Sequence, residues 1–124
     1  MADITILDDH VDNANILRDY LSDKGHNVHA VYCPIEFLKS VDSQQRIDVL
    51  LLDIQLPGLD GFTILNRLRS EHPKLYDQCC IIAVTALAMH GDRERCIEAG
   101  ADDYISKPFK LSEILKLINN WISE

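Results

Sequence analysis

Four short strand-like runs in this chain are each followed by a residue that can do polar chemistry. Asp8-Asp9 follow Ile4-Thr5-Ile6-Leu7, and Asp53 follows Val49-Leu50-Leu51-Leu52. Thr85-Ala86 follow the run from Cys80 to Val84, and Lys107-Pro108 follow the run from Asp103 to Ser106. If these runs are neighbouring strands, three carboxylates, one hydroxyl and one ammonium reach the same edge of a sheet. Two carboxylates 4 Å apart repel by about 4 kcal/mol at an effective dielectric of about 20. Three together must lose stability, take up protons or share a cation. A donor set of oxygens, with no His or Cys nearby, favours a hard ion, so Mg2+, with Mn2+ as the alternative, rather than zinc. A carboxylate beside such an ion is a nucleophile able to form an aspartyl phosphate. A lysine and the cation would offset charge on the transferring oxygens, and a threonine hydroxyl would donate to one of them.

Each residue alone has a plainer use. Asp9 or His10 would serve as the N-cap of a first helix, Asp53 could cap a turn before Pro57, and a lone Lys107 would be solvated. Their coincidence at four successive strand ends favours the chemical reading.

The elements needed to position them are legible as alternating short apolar runs and amphipathic stretches. Strands are expected at residues 4–7, Val28 to Tyr32, Asp48 to Asp53, Cys80 to Val84 and Asp103 to Ser106. The run before Asp53 is apolar throughout, as in a central parallel strand buried on both faces. Helices are expected from Val11 to Lys24 with Gly25 as stop, from Pro34 through Val41, from an Asp60 cap to about Glu71, and from Ala88 to Ala99 with Gly100 as stop. Leu56-Pro57-Gly58-Leu59 reads as a turn. The last helix is the clearest, with Leu111, Ile114, Leu115, Ile118, Trp121 and Ile122 at helical spacing. Five strands alternating with five helices imply an α/β, doubly wound parallel sheet, whose ligands sit at the carboxyl ends of the strands.

Length and composition bound the rest. The chain's 124 residues suit one domain, 1–124, and its 47% hydrophobic content supplies a core without disulfides. A net charge of −8 argues against direct nucleic-acid binding and against anionic membrane surfaces. Cys33, Cys79, Cys80 and Cys96 have no zinc-like spacing, and Cys79-Cys80 read as small buried hydrophobes. His26 and His29 read as exposed strand residues, and Arg93 and Arg95 as a solvated helix face. No secretory leader pattern and no run of about 20 apolar residues is seen, which points to the cytoplasm.

The chain resembles the response-regulator receiver domains of two-component signalling. The resemblance is carried by Ile6-Leu7-Asp8-Asp9, by Leu51-Leu52-Asp53-Ile54-Gln55-Leu56-Pro57-Gly58-Leu59-Asp60-Gly61, by Val84-Thr85-Ala86, by Ala99-Gly100-Ala101-Asp102-Asp103-Tyr104 and by Ser106-Lys107-Pro108-Phe109. It implies a flavodoxin-like strand order of 2-1-3-4-5. It implies Asp53 as phosphoacceptor, with Asp8, Asp9, Asp53 and the backbone carbonyl of Gln55 as metal ligands. Lys107 would pair with the phosphoryl group across a cis Lys107-Pro108 bond. Thr85 and Tyr104 would act as a switch that reshapes the face made by the fourth helix, fifth strand and fifth helix. Gln55 and Leu87 occupy positions that tune phosphoryl lifetime in this family. The implied partners are a sensor histidine kinase or a histidine phosphotransfer protein, and a downstream protein target. The domain would be a phosphoacceptor switch and not an enzyme in its own right, either stand-alone or part of a hybrid sensor kinase.

Two other readings compete. A phosphorylation-independent binding module would not need the full acidic set. An aspartyl-phosphate hydrolase typically carries a second aspartate two residues after the nucleophile, where this chain has Gln55.

Overall fold

A computed structural model describes residues 2–41, 46–55, 60–86 and 91–122. In chain order the elements are β1 (Asp3–Leu7), α1 (Val11–Asp23), β2 (Asn27–Val31), α2 (Pro34–Ser40), β3 (Val49–Asp53), α3 (Gly61–Glu71), α4 (Pro73–Gln78), β4 (Cys80–Thr85), α5 (Asp92–Ala99), β5 (Asp103–Ser106) and α6 (Leu111–Ile122). The expected turn at 56–59, Leu87 and the expected start of the fourth helix at Ala88 lie outside the described residues.

The strands form one parallel sheet in the order β2-β1-β3-β4-β5. Period-two alternation assigns the apolar side chains to two layers. Leu50 and Leu52 of β3 join Phe37 of α2 and Ile64, Leu65 and Leu68 of α3 on one face. Val49 and Leu51 join Ala14, Leu17 and Leu21 of α1 and Ile114 and Ile118 of α6 on the other. Because both faces are covered, every residue of β3 is buried, including Asp53. Burying each such aliphatic side chain contributes roughly 1.5–3 kcal/mol, so the central strand is the firmest base a functional side chain could have.

Six helices lie among the described residues, one more than the sequence suggested. The extra one is α4. Helix α3 stops at His72 (φ −136°, ψ 59°), and Pro73, with its fixed φ and missing N–H, opens a new short helix. The face expected to switch is therefore α5-β5-α6. His26 also departs from expectation: it precedes β2, is half-buried, and its Nδ1 accepts the Ala2 N–H at 3.2 Å, whereas His29 is exposed in β2 as expected. Cys79 is buried and Cys80 half-buried; desolvation raises both thiols, Cys80 to about 12, so neither is a ready nucleophile. Arg95 is exposed, but its guanidinium stacks over the Phe62 ring at 5.3 Å and so is not merely solvated. No helix among the described residues is long and apolar enough to cross a membrane.

Candidate functional site

The sheet order places the carboxyl ends of β1 and β3 side by side, which brings their acids together. Just past β1, the Asp8 N–H donates to Val31 O at 3.1 Å, so Asp8 is held as a continuation of the strand. Its Oδ1 accepts the His10 N–H at 2.9 Å. Asp53 closes β3, and its Oδ1 accepts the Gln55 N–H at 2.9 Å, an Asx-type turn that leads the chain off the sheet. The chain then returns past Gly61, whose N–H donates to Ile54 O at 2.9 Å. A Cβ at Gly61 would lie 2.7 Å from Ile54 Cα and 3.0 Å from Asp53 O, so only glycine allows α3 to start this close to Asp53. Asp60 caps that helix by accepting the Thr63 N–H at 2.9 Å, as its sequence position suggested.

Lys107 arrives from the far side of the sheet. Its backbone N–H donates to Thr85 O at 2.8 Å, which ties the segment after β5 to the end of β4. The Lys107-Pro108 bond is cis. Lys107 Nζ lies 3.2 Å from Asp53 Oδ2 and 3.4 Å from Asp8 Oδ2, so one ammonium bridges two carboxylates. Burial acts against that ammonium, but the attraction of Asp53 and Asp8 outweighs it and holds Lys107 above its ordinary pKa. Asp53 is also raised, because burial outweighs the Gln55 N–H and Lys107, which both favour the anion, while Asp8 adds repulsion. The rise is the effect of burial, which Lys107 does not offset.

Asp9 sharpens this point. Its Oδ1 is buried and accepts no hydrogen bond, although His10 Nδ1 stands 3.2 Å away. One ligand atom from each of Asp8, Asp9, His10 and Asp53 lies within 4.8 Å of all the others. Clustered acids with an orphaned buried oxygen fit a bound divalent cation. His10 Nδ1 stands among these acids, a residue the sequence reading did not count with them. His10 was weighed there only as a helix cap, yet its side chain caps nothing and turns toward the acids. Its position directly after the acid pair was the available signal.

The remaining residues take different places. Thr85 ends β4 and is buried. Tyr104 is half-buried in β5, paired in register with Ala83, so it projects from the same face of the sheet as Thr85. Gln55 is exposed, and its side-chain Oε1 accepts the Ala86 N–H at 3.2 Å, a link between the β3 and β4 ends that the sequence did not reveal. A cleft of about 410 Å³ opens beside the acids, with Asp8, Asn13, Asp53, Lys107, Pro108 and Phe109 among its walls.

Residues 4–119 match the family model of the response regulator receiver domain. The chain belongs to that family. It is 34% identical to the receiver domain of sensor histidine kinase PA1611 from Pseudomonas aeruginosa, covering 99% of this chain and 98% of that one with a TM-score of 0.83. That structure holds a magnesium ion coordinated in its active site cleft. It is also 34% identical to hybrid signal transduction histidine kinase L of Dictyostelium discoideum, over 95% of this chain but 7% of that protein. Regulatory protein VanR of Enterococcus faecium is 36% identical, over 90% of this chain and 46% of VanR. The chain thus spans less than half of either curated relative. Receiver domains serve two-component systems, are phosphorylated on aspartate and pair with histidine kinases or phosphotransfer proteins.

Proposed function

We propose that this receiver domain accepts a phosphoryl group on Asp53 from the phosphohistidine of a sensor kinase or phosphotransfer protein. The observation that carries the reading is the Asp53 carboxyl, buried at the end of the central strand, facing Lys107 Nζ at 3.2 Å and two further acids from β1. A carboxylate oxygen of Asp53 attacks phosphorus, the P–O bond forms as the P–N bond to imidazole breaks, and the departing imidazole takes up a proton. Lys107 offsets charge on the transferring oxygens and holds the acceptor carboxylate in place. Asp8, Asp9, Asp53 and the Gln55 carbonyl would hold a divalent ion, Mg2+ or Mn2+, which would supply the remaining positive charge to those oxygens. The backbone turn at Gln55 fixes the orientation of the acceptor, and exposed Ile16 of α1 offers the arriving partner an apolar contact at the cleft.

The response is a change of binding surface. Thr85 would turn its hydroxyl to a phosphoryl oxygen, and the Ala86 N–H would exchange Gln55 Oε1 for another. Tyr104, on the same face as Thr85, follows, and the α5-β5-α6 surface is remade for a downstream protein. On this reading the domain is a phosphoacceptor switch, not an enzyme acting on a separate substrate, and it works in the cytoplasm.

Intact-mass measurement after exposure to acetyl phosphate with magnesium tests the assignment. Wild type should gain one phosphoryl group, Asp53→Asn none, and chelation should abolish the gain. Uptake that survives Asp53→Asn would refute Asp53 as the acceptor.

A further inference from the structure

We propose that His10 completes the cation site as a protein ligand through Nδ1, and that this imidazole tilts the site's preference from magnesium toward borderline first-row ions. The inference rests on the reading of Asp8, Asp9 and Asp53 as a cation site. Three observations carry it. His10 Nδ1 lies 3.2 Å from Asp8 Oδ1 and 3.2 Å from Asp9 Oδ1. The first of these contacts is a hydrogen bond; neighbouring ligands on an octahedral ion with bonds of about 2.1 Å are separated by roughly 3 Å, so Nδ1 passes from that bond to a shared ion with little displacement. Next, the short approach of Nδ1 to Asp9 Oδ1 is not a hydrogen bond, since that oxygen accepts none. Nδ1 hydrogen-bonds Asp8 Oδ1 instead, which leaves Asp9 Oδ1 for a cation. Finally, His10 is the N-cap residue of α1, yet its side chain makes no capping bond, so Asp8 and not the helix orients the ring toward the acids.

The consequence is a choice of metal. Carboxylate, carbonyl and water oxygens suit magnesium, whereas an imidazole adds affinity for cobalt, nickel or zinc and little for magnesium. When Nδ1 coordinates, the ring carries its proton on Nε2, and no net proton is lost from the neutral imidazole. A receiver with acids alone would bind such ions only through the general order of divalent affinities. This one has a nitrogen donor placed among them.

The test uses the full chain and two probes, Co2+ followed by its d–d absorption and Mg2+ followed by calorimetry and by competition against Co2+. His10→Ala removes the donor, and His10→Asn does so while keeping a good N-cap. Asp9→Asn defines which part of the Co2+ signal belongs to this site, since other histidines and the cysteines also bind cobalt. Both His10 variants should lose about tenfold in Asp9-dependent Co2+ affinity while Mg2+ affinity changes by less than about twofold. In the wild-type Co2+ complex, proton NMR should show one strongly shifted exchangeable imidazole N–H that disappears in both variants. A Co2+-to-Mg2+ affinity ratio unchanged by either substitution overturns the proposal, as does equal loss for both ions, which would make His10 a positioning residue for the acids. Mg2+ binding that ignores Asp9→Asn would remove the cation site itself, and the proposal with it.

Discussion

Where the strands begin, Asp3, Asp48, Asp102 and Asp103 each accept a hydrogen bond; where they end, Asp8, Asp9 and Asp53 crowd one another. At the first end Asp48 takes the Asp3 N–H, Asp102 the Ile81 N–H, Asp3 the Asn27 amide and Asp103 the Trp121 indole, all at 2.8 Å. Arg46 pairs with both Asp3 and Asp48. At the second end one lysine serves two carboxylates and an Asp9 oxygen has no hydrogen bond. The residue type is the same at both ends, but only one arrangement is satisfied by the chain itself. Satisfied acids hold strands in register, whereas unsatisfied ones cost stability and are retained where another charge is to be bound.

The largest effects should come from breaking the satisfied end. Gly100 leads into β5 with φ 119°, and a Cβ there would run into Arg69 Nη2 and Tyr76 Oη. Those two side chains already hold the turn, Tyr76 donating to Gly100 O at 2.7 Å and Arg69 to Ala99 O at 2.6 Å. Gly100→Ala should therefore cost about 1–2 kcal/mol for the left-handed backbone, plus the displacement of both struts, read as a lower urea midpoint. Next comes Asp102→Ala, which leaves the N–H of fully buried Ile81 without its acceptor at the start of β4. A loss of about 1–2 kcal/mol is expected, as for hydrogen bonds to charged acceptors. Phosphoryl uptake by the surviving folded protein should be unchanged in both. A loss of uptake in folded Asp102→Ala would mean that the two ends are not separate.

The same kind of substitution should change sign at the other end. Asp9→Asn removes one charge from a cluster in which Asp9 Oδ1 accepts no hydrogen bond. Without added divalent ion it should stabilise the protein by a few tenths to about 1 kcal/mol by relieving repulsion, while abolishing the stabilisation that magnesium gives the wild type. Urea titrations with and without magnesium measure both. Destabilisation of the metal-free protein by Asp9→Asn would show that this acid is structural after all.

The sequence reveals the two ends unequally, for a physical reason. Strand positions follow from apolar period and length, so the sheet and the convergence of Asp8, Asp9, Asp53 and Lys107 on one edge can be read from residues 4–7, 49–52 and 80–84. What depends on one side-chain torsion cannot. His10 reads as a helix cap until its ring is seen turned toward the acids, and Gln55 gives no sign that its amide reaches Ala86, 31 residues away. Helix α4 was missed because six residues are too few to show a 3.6 period; only the His72-Pro73 step marks it. The acids at the strand starts look in the sequence like those at the strand ends, since the donors that satisfy them come from other strands.

The smallest effect concerns His26 at the satisfied end. Its Nδ1 accepts the Ala2 N–H at 3.2 Å, which requires the ring to be unprotonated at that atom. Desolvation, then the nearby N-terminal charge, lowers its pKa below the ordinary 6.5. The unfolded chain therefore takes up a proton on this ring before the folded one does, and stability falls as the pH drops below 6.5 toward the folded value. The contribution is complete above that pH. Paired urea titrations of wild type and His26→Gln between about pH 7.5 and 5.5 isolate it, because the other histidines are common to both. The wild type should lose more stability than the variant across that interval. Parallel curves would mean that the Ala2 contact survives protonation, and the N-terminal strand would then owe its anchoring to Asp3, Asn27 and Asp48 alone.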